Sequence, residues 1–134
     1  MSAVYVDTSA LLALLDKGDD HHRAVVETVA RLADEDVGLV TASYTLVEAG
    51  ALVRSRIGAE AFRELGTAVT AAAEIIWVDA ELHHRAWQET ARGPRNGPSL
   101  VDVVGFLVME GRGLTTALAL DRHFRDRGFE LLPG

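Results

Sequence analysis

Five short aliphatic or β-branched runs, each followed by segments of helical periodicity, set the main constraint on what this chain can become. The runs are AVYV (3–6), VGLVT (37–41), EIIWV (74–78), TTALAL (115–120) and FELL (129–132). Strands that alternate with helices are joined by crossovers, which leave neighbouring strands parallel and both faces of the sheet covered. The intervening segments carry helix signals. TSALLALLDK opens on Thr8 and Ser9 as caps, and DDHHRAVVETVARLADE places Ala24, Val25, Thr28, Val29 and Leu32 at helical spacing. LVEAGALVRSR follows Ser43, AEAFRELGTAVTAAA follows Gly58, AELHHRAWQETA starts from an Asp79 cap, SLVDVVGFLVMEG starts at Pro98 or Ser99, and a short RHFRDR turn precedes the last run. The order β α α β α α β α α β α β predicts an open α/β sheet, in which ligands collect beyond the C-terminal ends of the strands.

With 134 residues the chain suits one domain, 1–134, and no linker, repeat or low-complexity tract divides it. There is no Cys, which excludes a disulfide framework and a Cys-based zinc site. Neither a signal peptide nor a membrane span is legible, so a cytoplasmic protein is expected. The net charge of −7 argues against a protein that holds nucleic acid through a broad basic surface. A nuclease stays open, because acidic sites reach phosphates through bound cations. Arginine is dense at HHRAWQETARGPR (83–95) and RHFRDR (122–127), and all but one of the basic residues are Arg.

Four carboxylates stand alone in uncharged stretches. Asp7 follows AVYV, Glu48 is the one charge between Val37 and Val53, Asp102 is the one charge between Gly97 and Met109, and Asp121 ends GLTTALAL. Each alone is most economically a helix cap or first-turn acid, as Asp79 is. Ionised carboxylates are costly to bury unless paired, hydrogen-bonded or bound to a cation, so four in apolar surroundings call for a common cause. Asp7 and Asp121 are expected at C-terminal strand ends, and Glu48 and Asp102 in the first turns of helices that begin at the same edge. All four can then converge on Mg²⁺ or Mn²⁺, hard ions that take oxygen ligands and suit phosphodiester hydrolysis.

VYVDTSALLALLD, TLVEAGALV, SLVDVVGFLVM and ALALDRHFRDRGFELLP resemble, in order and spacing, the four acidic motifs of the PIN-domain ribonucleases, particularly the VapC toxins of bacterial toxin–antitoxin pairs. The resemblance spans essentially the whole chain. It implies a three-layer α/β/α sandwich around a parallel sheet of about five strands, and RNA cleavage at an Mg²⁺ or Mn²⁺ site. On the matching positions Asp7, Glu48, Asp102 and Asp121 are the acidic residues, both catalytic and metal-binding, with the hydroxyls of Thr8 and Ser99 orienting them. Family members often carry Thr or Ser two residues before the last acid, where this chain has Ala119. The resemblance further implies a homodimer, a VapB-like antitoxin that inserts an Arg-bearing segment toward the pocket, and a toxin–antitoxin hetero-oligomer. The Ala-rich GTAVTAAAE stretch and the second helix are candidates for the dimer face.

Arg95, Arg122 and His123 are candidate RNA contacts. His21, His22, His83, His84 and His123 lack zinc-site spacing, and the His pairs fit solvated helix positions. Trp77 and Trp87 could stack on bases, but their spacing favours the core. Three other functions compete. An aspartyl-nucleophile phosphatase also ends its first strand in Asp but wants a second Asp two residues on, where Ser9 stands. A catalytically silent PIN-like binding module needs no acids at all. A phospho-receiver calls for a late Lys, and the one Lys is Lys17.

Overall fold

The computed structural model describes residues 3–134. In chain order the elements are β1 (Ala3–Val6), α1 (Thr8–Leu15), α2 (His22–Asp34), β2 (Gly38–Ala42), α3 (Ser43–Arg56), α4 (Ala59–Ala72), β3 (Ala73–Ile76), α5 (Ala80–Arg92), α6 (Leu100–Arg112), β4 (Thr116–Leu118), α7 (Arg122–Asp126) and β5 (Glu130–Leu132). All strands pair parallel in the order β3-β2-β1-β4-β5, which is the expected α/β/α sandwich. No helix among the described residues is long and apolar enough to cross a membrane.

The central strand shows why the sheet needs two covers. Val4 and Val6 point to one face and Tyr5 to the other, all of them buried. Val4 and Val6 pack with Leu11, Val25, Val53, Leu65 and Leu118 under α1 to α4. Tyr5 packs with Val104, Phe106, Met109 and Phe124 under α5, α6 and α7. Its ring stacks on Phe124 with centroids 5.9 Å apart, and Phe106 meets Phe124 edge-on at 4.8 Å. The Tyr5 hydroxyl, taken out of water by that packing, shares a 3.0 Å hydrogen bond with Thr45 of α3. Gly105 lets α6 come this close. A Cβ there would stand 2.9 Å from Phe124 and 3.0 Å from Tyr5.

Four strands differ from their sequence-based spans for a common reason: a hydrogen bond outside the sheet captures the flanking amide. Val37 donates to Leu32 O at the end of α2, so β2 begins one residue later and runs to Ala42. Val78 donates to Ser43 Oγ, which draws Trp77 and Val78 away from β3. Leu120 donates to Ser9 Oγ beyond the end of β4, and Phe129 donates to Phe124 O before β5. Trp77 and Trp87 also depart from expectation. They are 72% and 57% exposed, so neither is a core residue. Trp77 lies past the end of an edge strand, and Trp87 lies against His83, whose Nδ1 pairs with the Tyr44 hydroxyl.

Candidate metal centre

Asp7 is the residue at which β1 becomes α1. Its amide continues the sheet by donating to Leu118 O of β4 at 3.0 Å, while its side chain caps the helix. Oδ2 accepts from the Ser9 hydroxyl at 2.8 Å and, more weakly, from the Ser9 amide at 3.4 Å. The Ser9 hydroxyl also accepts from the Leu120 amide at 2.9 Å. One small side chain therefore fixes Asp7 and ties the ends of β1 and β4 together. Asp7 is only 3% exposed. Burial, with a contribution from the nearby Asp102 charge, pushes its carboxyl from the ordinary 3.8 up to about 6, although Ser9 pulls the other way.

Asp102 is the third residue of α6 and is held by a reciprocal capping box. The Ser99 amide donates to Asp102 Oδ2 at 3.0 Å, and the Asp102 amide donates to Ser99 Oγ at 3.2 Å. Its carboxyl is raised as well, first by burial and then by the charge of Asp121. Asp121 caps α7, accepting from the His123 amide at 2.9 Å, and the His123 imidazole Nε2 lies 3.7 Å from the same oxygen. Asp102, Asp121 and His123 each offer one ligand atom, all within 4.8 Å of one another.

At the C-terminal edge of the sheet Asp102 and Asp121 come together with His123, and Asp7, near enough for the Asp102 charge to act on its carboxyl, stands outside that close group. Glu48 falls outside the close group. It occupies the second turn of α3 rather than the first, half-buried and without a hydrogen bond or ion pair among the described residues. The hydroxyls also divide differently from expectation. Ser99 reaches Asp102 with its amide, and the residue that donates a hydroxyl to Asp7 is Ser9, not Thr8. Thr8 Oγ1 is buried with no partner. Ala119 offers no hydroxyl to Asp121, and the His123 amide takes that place. Arg122 is exposed on α7 and Arg95 on the loop before α6.

The residues fit a hard divalent cation on three observations. The ligand atoms are predominantly carboxylate oxygens. Two of the three acids have raised pKa values, a repulsion and desolvation that bound positive charge would relieve. A buried hydroxyl one residue from Asp7 also still lacks a partner.

A parallel sheet ordered 3-2-1-4-5 with acids at one edge defines a class that comparison identifies: residues 4–130 match the PIN domain, and the chain belongs to that family. Among solved structures it is similar to VapC20 of Mycobacterium tuberculosis, a toxin that cleaves the sarcin-ricin loop. The two share 28% identity with a TM-score of 0.82, over 94% of this chain and 95% of that one. The chain is accordingly a VapC-like PIN-domain protein of a toxin nuclease family. No curated protein matches it in sequence.

Proposed function

We infer that this protein is a Mg²⁺- or Mn²⁺-dependent endoribonuclease toxin, silenced by a VapB-like antitoxin. The observation that carries this reading is the close group of Asp102, Asp121 and His123 at one sheet edge, with Asp7 within reach of the Asp102 charge and the carboxyls of Asp7 and Asp102 both raised. Asp7, Asp102 and Asp121 would hold the cation, and Glu48 would reach it through water. When bound, such an ion lowers the pKa of a water and stabilises charge on a phosphoryl oxygen.

The chain's own groups do the rest. Ser9 aims Asp7 Oδ2, the capping box aims Asp102, and the His123 amide aims Asp121, so the carboxylates are set before substrate arrives. Arg122, His123 and Arg95 can contact the RNA backbone beside the acids, in a chain whose overall charge would otherwise repel it. The similarity to VapC20 supports a structured RNA loop as substrate. The acidic pocket and the −7 charge both suit an antitoxin segment bearing Arg.

The test is cleavage of ribosomal RNA and of a sarcin-ricin hairpin by purified protein with Mg²⁺ or Mn²⁺, with EDTA, and with Asp7→Asn. Cleavage is expected with either ion, lost in EDTA, and reduced by roughly 10²-fold or more in Asp7→Asn. Cleavage that survives both chelation and the substitution refutes the reading. A folded wild type that binds RNA but never cuts it establishes a binding module instead.

A further inference from the structure

A second cavity adjoins the acidic group and is not part of it. Between the 94–98 loop and α7 lies a cleft of about 340 Å³, lined by Pro94, Asn96, Gly97, Phe106, Arg122 and His123 among others. His123 belongs to both, since its imidazole stands with Asp102 and Asp121 on one side and borders the cleft on the other. The volume is near the lower end of small-molecule sites, about 300 Å³, which is room for one nucleotide and not two.

The lining has the chemistry of base recognition. Asn96 offers both a donor and an acceptor. Phe106 lies beneath the cleft, almost fully buried and covered by Arg127, and serves to hold that side of it. Of the two guanidinium groups present, Arg127 is committed: it donates to both Glu89 and Glu110 and lies 4.9 Å over the Phe106 ring. Arg122 is free by comparison, with a single 3.8 Å approach to Asp126 and a side chain 78% exposed. It can pair with a phosphate or stack on a base. The rim is also built rather than loose. Gly97 donates to Pro94 O at 2.9 Å, and a Cβ at Gly97 would stand 3.0 Å from that oxygen, so any larger residue forces the turn to shift.

Resting on the ribonuclease reading, we propose that this cleft is a nucleotide subsite. It receives one unstacked nucleotide of the RNA next to the scissile phosphate, and Asn96 reads that base. Specificity for single-stranded or looped RNA is built this way, by base edges and stacking on displaced bases. The position follows from charge as well. A strand leaving the acids on this side meets Arg122 and His123, with Asp126 the one carboxylate lining the cleft.

Two measurements separate this inference from the reading beneath it. In the first, the four ribonucleoside 5′-monophosphates are titrated into metal-free protein and amide shifts are followed by NMR. Shifts are expected at Asn96, Gly97 and Arg122 to Asp126, strongest for one base, and lost in both Asn96→Ala and Gly97→Ala. In the second, cleavage of a randomised RNA pool is sequenced. Asn96→Ala is expected to flatten base preference at one position flanking the cut by about tenfold, with preferences at the other positions kept and thermal unfolding unchanged. Absence of shifts at the cleft, or a base preference untouched by Asn96→Ala, overturns the subsite. Shifts at the cleft without any cleavage uphold nucleotide binding and overturn the nuclease instead.

Discussion

Replacing Asp7 by Asn should make the metal-free protein more stable at neutral pH, whereas at an ordinary exposed helix cap the same exchange changes little. The folded-state carboxyl titrates at about 6 against 3.8 in the ordinary case. Between those values the native state binds more protons than the unfolded chain, so stability falls as pH rises through this window, and above it the loss is complete. At ~1.4 kcal/mol per pH unit, the cost of keeping Asp7 ionised is about 3 kcal/mol near pH 7. Asn carries no charge and is as good an N-cap. Its side-chain oxygen can still accept from Ser9. Urea unfolding in EDTA at pH 4 and pH 7.5 should therefore show Asp7→Asn equal to wild type at the lower pH. At the higher pH it should be more stable by up to about 3 kcal/mol. Adding Mg²⁺ at tenfold its dissociation constant should restore about 1.4 kcal/mol to wild type and little to the variant. A variant no more stable than wild type at pH 7.5, or a difference independent of pH, would show that Asp7 carries no burial penalty and is an ordinary cap.

Ser9→Ala should destabilise by about 1–3 kcal/mol, because it leaves the Leu120 amide without its acceptor. The same change should move the Asp7 titration, followed by carboxyl NMR, further up. Gly105→Ala should cost about 1–3 kcal/mol in denaturant unfolding, through the collision with Phe124 and Tyr5. An unchanged midpoint would mean that α6 can shift away from the sheet.

The fold was readable because parallel sheets announce themselves as apolar runs separated by helical periods. The sandwich and the order of its elements follow from that pattern alone. Strand ends were not readable, since Ser43 capturing the Val78 amide and Ser9 capturing the Leu120 amide are contacts across long stretches of sequence. The acids at Asp7, Asp102 and Asp121 stood out because each is a charge where the pattern predicts burial. Ser9 did not stand out: a hydroxyl in the first turn of a helix is ordinary, and its second partner is 111 residues away. His123 was read as a substrate contact, and only the turn from Asp121 into α7 brings its ring beside two carboxylates. Trp77 and Trp87 show the converse failure. Their spacing matched a buried face, yet one lies past the end of an edge strand and the other on a helix surface.

The Ser9 hydroxyl that joins Asp7 to the Leu120 amide also sets a schedule. Chains are made from the N-terminus, and early segments begin to fold before later ones exist. Asp7 precedes Asp102 and Asp121 in the chain by most of the sheet, so those two arrive only after β1, β2 and β3 have been translated. β4 must slot in beside β1 before the three acids can share one sheet edge. The growing polypeptide therefore carries no assembled acidic pocket until β4 has been made, a delay that comes from strand order alone.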